Sequence, residues 1–157
     1  MSPIGDYPQT VDEVLDDSIR FRRPTVRAAL RFKASRPWRG SLAERKTKFR
    51  KVHEDLCQVY GKQTTLVFGR IDGSCSGHSC YNPASDTITL HGRLSVVTYL
   101  HEVAHALGRD ERGACRWSIN LFAKCFPREF LRCQTRGHML MARRSHDKRS
   151  RSGSGAR

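Results

Sequence analysis

The sequence predicts an α+β fold in which a small β-sheet packs on helices. Three observations carry this. Apolar residues recur at helical spacing over residues 41–60 and again over 95–107. Between these stretches, 64–71 and 87–90 are rich in β-formers and bounded by turn residues. The chain has 157 residues and is 38% hydrophobic, enough for one compact core and too little for two.

Taken in order, Thr10-Val-Asp-Glu13 has the form of a capping box and predicts a short helix after it. The acids at 12, 13, 16 and 17 suit a helix N-terminus, with Val14, Leu15 and Ile19 as a weak apolar face. Arg22-Arg23-Pro24 breaks this helix. A second short helix follows over 25–34, with Val26, Leu30 and Ala34 on one side. Arg36-Pro-Trp-Arg-Gly40 is punctuation. Ser41-Leu-Ala-Glu44 is a second capping box and opens a helix over 41–60. Leu42, Phe49, Val52, Leu56, Val59 and Tyr60 make its apolar side, and Gly61 stops it. Its outer face carries Arg45, Lys46, Lys48, Arg50 and Lys51.

A strand is expected over 64–71, then a Gly/Ser-rich turn over 72–79. A short strand at 80–81, a turn at 82–83 and a strand at 87–90 complete the sheet. Ser95 caps a helix through Leu107, with Gly108 as its stop. A further helix runs over 111–125 on Ala114, Ser118, Leu121, Phe122 and Cys125. Pro127 ends it and starts a short turn of helix through Leu131. From Ala142 the chain lacks apolar anchors and is expected to be disordered. The organisation expected is a basic N-terminal arm with short helices over 1–40, a folded domain over 41–141, and a disordered basic tail over 142–157.

Charge is uneven. Lys and Arg number 29 against 15 acids, a net charge of +14. Thirteen basic residues and one acid, Glu44, fall between Arg20 and Lys51. Attraction to nucleic acid through residues 20–51 and the tail is one consequence; a solvated surface is the plainer one. No apolar run approaches transmembrane length, so no membrane partner is expected. Met1–Thr10 holds no signal-peptide core, which leads us to expect a cytoplasmic protein whose six cysteines are thiols.

The chemistry concentrates in residues 101–111, His-Glu-Val-Ala-His-Ala-Leu-Gly-Arg-Asp-Glu. Two imidazoles four apart on a helix share one face, about one turn from each other, so His101 and His105 can ligate one metal ion. Glu102 points far enough round to hold a water without being a ligand. Zn2+ with two His, a third ligand and a Glu base makes a metallohydrolase. The bland alternative is a pair of core or surface histidines. On an unbroken helix, residue 111 sits about 240° round from His105, on the wrong face. A turn at Gly108–Asp110 returns the Glu111 carboxylate to the metal, where Glu111 also opens the next helix. Asp110, His91 and His138 compete as third ligand; Glu111 is preferred.

The run His101–Glu111 resembles the extended metzincin pattern, in which a Gly lets the chain turn to a third ligand. Glu stands here where His, or sometimes Asp, is usual, and only Met139 and Met141 offer a Met-turn. The stretch Tyr81–Leu121 is also similar to the ImmA/IrrE-like peptidases. Those have a Tyr/Pro turn, a short strand, a His-Glu-x-x-His helix, and a second helix opening with Glu. Glu111, Ala114, Trp117, Ser118, Leu121 and Phe122 fit that second helix, although five residues separate His105 from Glu111 where that family has many more. The SprT-like proteases are a third relative, and their link to DNA suits the charge; their third His has a counterpart only if His138 serves. The resemblance covers roughly 64–126.

What the resemblance implies is a minimal zincin-like domain over 41–141 with its active-site helix at about 95–107. The implied activity is a zinc-dependent metallopeptidase hydrolysing a protein substrate. His101, His105 and Glu111 hold the metal, and Glu102 is the general base that passes its proton to the leaving amine. The strand before the helix, if a sheet edge, holds the substrate as an added strand. Tyr99, His91, Tyr81 and His138 are the possible oxyanion donors.

Two other features compete. Cys75, His78 and Cys80, with Cys133 or His138, have the ligand types for a second zinc; a turn with free or buried thiols is the plainer reading, and a Cys75–Cys80 disulfide is the alternative in an oxidising compartment. The alternative function is a nucleic-acid-binding zinc protein with a structural or vestigial metal site, for which Phe32, Trp38 and Phe49 interleave with basic residues as stacking surfaces would. An interaction protein with basic arms that order on a partner is a third. Glu102 separates the first two, because a structural zinc site needs no Glu beside its ligand and closes its fourth position with protein.

Overall fold

In the computed structural model, which describes residues 8–69, 78–136 and 139, the elements follow the order read from the sequence. They are α1 (Arg23–Ala34), α2 (Leu42–Tyr60), β1 (Thr65–Phe68), β2 (Cys80–Asn82), β3 (Thr87–Leu90), α3 (Val96–Ala106), α4 (Glu111–Cys125) and α5 (Pro127–Arg136). Helices and a small mixed sheet make this an α+β fold. Cys75, His138, Met141, residues 72–77 of the turn and the tail from 142 lie outside the described residues. No helix among those described is long and apolar enough to cross a membrane.

The two capping boxes fare differently. At Ser41 both reciprocal bonds form: Ser41 Oγ accepts from Glu44 N at 3.2 Å and Glu44 Oε2 accepts from Ser41 N at 3.3 Å. Gly61 closes α2 in the left-handed region at φ 63°. At Thr10 no side-chain cap forms, and only a single 3₁₀ turn, Val11–Glu13, follows. The Glu13 carboxylate instead accepts from Gln9 N at 3.1 Å, one residue early for a box. The N-terminal short helix expected there is therefore reduced to this one turn.

Helix α1 also buries a different stripe from the one expected. Thr25, Ala28, Ala29 and Phe32 face inward, while Leu30 is 46% exposed. Small residues let α1 lie close against α2, and Phe32 supplies the anchor. Phe32 meets Phe49 of α2 edge-to-face at 4.9 Å, and Phe49 meets Tyr99 of α3 at 5.7 Å. Phe126, at the α4–α5 junction, meets Phe32 at 6.2 Å. Each such ring pair adds about 0.5–1.5 kcal/mol beyond the area it buries. Four elements are thus pinned around one ring cluster. The core runs without a break from Val11 to Phe126. Asn120 of α4 ties the N-terminal segment to it, donating to Val14 O at 2.8 Å and accepting from Asp16 N at 2.9 Å.

The sheet order is β1-β3-β2, with β1 parallel and β2 antiparallel to β3. The strand that precedes α3 is therefore central, so it does not meet the condition of being a sheet edge. Its Ile88, Thr89 and Leu90 are buried accordingly. The edge beside α3 is β2. Ser95 caps α3 by accepting from Thr98 N at 3.3 Å, as expected.

Candidate metal centre

The turn after α3 builds the site. Leu107 ends the helix, and Gly108 takes φ 91°, which only Gly adopts without strain. Arg109 N then donates to Ala104 O at 3.1 Å and Gly108 N to His105 O at 2.9 Å. These two bonds are a Schellman motif. Asp110 caps α4 by accepting from Gly113 N at 2.8 Å, so Glu111 becomes the first residue of α4.

Glu111 thereby comes back over α3. Its Oε1 lies 2.9 Å from His101 Nε2, and its Oε2 lies 2.9 Å from His105 Nε2. The two Nε2 atoms are 3.1 Å apart. Ligands at 2.0–2.1 Å around a tetrahedral zinc are separated by roughly 3.3 Å. These three donors stand close to that spacing. Asp110 is occupied as a cap and is not among the converging groups. His91 is neither in the cleft lining nor in the group that could hold a metal ion, and its Nε2 is buried without a hydrogen-bond partner. His138 lies outside the described residues.

The ring nitrogens are held in definite roles. His105 Nδ1 donates to Arg109 O at 2.9 Å, which leaves Nε2, facing the Glu111 carboxylate at 2.9 Å, as the nitrogen a metal would take in place of a proton. The Schellman turn supplies that carbonyl. The Glu111 hydrogen bond raises the His105 pKa above 6.5, more than burial lowers it. Glu102 is 7% exposed, and burial raises its pKa above 4.5; the neighbouring His101, His105 and Tyr81 backbone pull it back only in part.

Two residues that the sequence reading passed over belong to this centre. Cys115, one turn after Glu111 on α4, places Sγ 3.8 Å from His101 Nδ1 and 3.8 Å from Glu111 Oε1. Its spacing of four from Glu111 was the available signal. His101, Glu111 and Cys115 form a group that could hold a metal ion. Burial, then the Glu111 carboxylate, pushes the Cys115 thiol up to about 12. Arg109 is the second: it lines the open cleft of about 570 Å³ that holds His101, Glu102, His105 and Glu111. Ser79, and Cys80 and Tyr81 of the edge strand β2, line it as well.

Other expected groups are placed away from it. Tyr99 is fully buried and bonded to His53 Nδ1 at 2.9 Å, so it is no oxyanion donor. Tyr81 lines the cleft, but its hydroxyl donates to Asp86 Oδ1 at 2.7 Å. Cys80 is disulfide-bonded, contrary to the thiol expected, and so is not a ligand of a second zinc. Cys57, Cys115, Cys125 and Cys133 are free thiols. Phe32 and Phe49 are core; of the three proposed stacking residues only Trp38, at 43%, is exposed. Compared with protein-family models, curated proteins and solved structures, the chain matches none.

Proposed function

We propose that the protein is a zinc-dependent metallopeptidase whose ligands are His101 Nε2, His105 Nε2 and the Glu111 carboxylate. The observation that carries this is the mutual approach of these three donors at 2.9–3.1 Å, with His105 Nδ1 tied to Arg109 O. His101 cannot offer both ring nitrogens to one ion, so Cys115, which faces Nδ1, is the weaker ligand. A thiol pushed up to about 12 is also a poor thiolate donor. Cys115 acts instead as the neighbour that keeps the His101 ring oriented.

Bound there, zinc supplies Lewis acidity toward water and a scissile carbonyl. The chain's own residues do the rest. Glu102 sits in the same cleft outside the ligand set, with a pKa raised by burial toward the range useful for proton transfer. It takes a proton from water and returns it to the leaving amine. That β2 is an edge strand with Cys80 and Tyr81 in the cleft lining supports binding of the substrate as an added strand. Arg109 is the cationic wall of the cleft and stands in for the oxyanion donor that Tyr99 and Tyr81 do not provide.

The test is Glu102→Gln, assayed for zinc content and for cleavage of denatured casein. Zinc content is expected to stay at one per chain, while cleavage falls by about 10²–10⁴. Cleavage within tenfold of wild type removes Glu102 as the base. No zinc in the wild type, even after zinc is supplied, sinks the peptidase reading.

A further inference from the structure

Beside the metal cleft lies a second one, of about 560 Å³, walled by Arg20, Arg22, Arg109 and Arg116. No local sequence pattern gathers these four. Arg20 and Arg22 come from the segment before α1, Arg109 from the Schellman turn, and Arg116 from α4. Arg116 Nη2 is neutralised by Asp16 Oδ2 at 2.8 Å. Among the described residues, Arg20, Arg22 and Arg109 have no carboxylate partner. Like charges gathered round one concavity repel one another and focus positive potential into it. An anion entering the cleft relieves that repulsion.

The aromatic walls decide which anion. Trp117 is 5% exposed and meets Phe21 edge-on at 6.1 Å. The Tyr60 ring is covered by the Arg22 guanidinium, 5.2 Å from its centroid. Bases of a single strand need open ring faces to stack on, and these faces are taken. A carboxylate needs only guanidinium donors, and Arg116 Nη2 already donates to the Asp16 carboxylate at 2.8 Å. Arg109 also lines the metal cleft, so the two clefts are neighbours on either side of one residue.

We propose that this second cleft binds an acidic segment of the protein substrate, through Asp or Glu side chains a few residues from the bond to be cut. Calling the ligand a substrate rests on the peptidase reading; the binding of an acidic peptide does not. The experiment reads fluorescence anisotropy of labelled hexaglutamate, hexaglutamine and hexathymidylate with the full chain. It compares wild type, the cleft variant Arg20→Gln/Arg22→Gln/Arg109→Gln, and the equal-charge control Arg27→Gln/Arg39→Gln/Arg128→Gln, whose three residues are all exposed.

The cleft variant is expected to lose about tenfold or more in hexaglutamate affinity, and the control less than about threefold. Equal losses mean diffuse attraction to a basic chain and overturn the proposal. A loss confined to hexathymidylate makes the cleft a nucleic-acid site and overturns it as well. Wild type binding hexaglutamine as tightly as hexaglutamate has the same effect. Should the triple variant not fold, Trp38→Phe leaves Trp117 as the one tryptophan. Its emission must then shift when hexaglutamate is added, and no shift refutes the site. Cleavage is not read anywhere in this experiment, so a failed casein assay and a failed binding assay are told apart.

Discussion

Replacing Glu111 by Gln tests the metal centre where it is most exposed to error. Gln keeps the shape and one carbonyl oxygen of Glu111 but loses the charge that faces His101 and His105 at 2.9 Å each. Loss of an outer partner of a metal ligand costs about 10–100-fold in affinity. Loss of a charged direct ligand must exceed the top of that range, so the floor is ~100-fold, or about 2.7 kcal/mol. One effect opposes this. Glu111 is the largest cause of the raised His105 pKa, and a protonated imidazole cannot bind metal. Removing Glu111 therefore reduces proton competition at His105. That gain fades as pH rises and His105 becomes neutral in both proteins, so the affinity ratio is followed over increasing pH and read where it no longer changes. The assay is zinc competition against a chromophoric chelator. Asp110→Asn is the control, since the Asp110 carboxylate accepts the α4 cap bond from Gly113 N and faces neither histidine. Affinity of Glu111→Gln within about threefold of wild type, or an equal loss in Asp110→Asn, would refute Glu111 as the third ligand.

Three further outcomes are expected. Gly108→Ala meets no atom within 4 Å, so its cost is the left-handed backbone alone, about 1–2 kcal/mol. For a chain of this size that lowers the thermal midpoint by about 2–8 °C, and an unchanged midpoint would mean the turn relaxes freely. Asn120→Ala leaves Val14 O and Asp16 N without this partner and is expected to cost about 1.5–3 kcal/mol in urea unfolding; a loss under about 0.5 kcal/mol would show that the N-terminal segment is not held there. Burial lowers the His53 pKa below 6.5, so the folded state holds fewer protons than the unfolded chain just below that value. Its contribution to stability is complete above pH 6.5 and is lost as pH falls through the lower folded value. Thermal midpoints of wild type and His53→Gln should therefore diverge less as pH drops below 6.5, and parallel profiles would contradict the assignment.

Much of this protein is legible in local sequence, because the physics there is local. The Ser41 box, the Gly61 and Gly108 stops and the Ser95 cap each depend on hydrogen bonds within a few residues. The position of Glu111 was legible for the same reason: the glycine turn that joins α3 to α4 is a short-range device. Where two local patterns competed, sequence alone failed. Thr10 and Glu13 match a capping box, yet Glu13 turns to Gln9 N. On α1 several stripes of similar hydropathy exist, and close contact with α2 selected the one with small residues.

Tertiary structure decided everything that needs distant segments to meet. Strand order belongs to this class: β3 is central because β1 and β2 both pair with it, which no single strand's composition encodes. Cys115 joins His101 only when α4 packs on α3. The four arginines of the second cleft arrive from three separate places along the chain. Residue types and short-range geometry determine which groups can do chemistry. Burial and long-range packing determine which of them share a dielectric, a cleft and a partner.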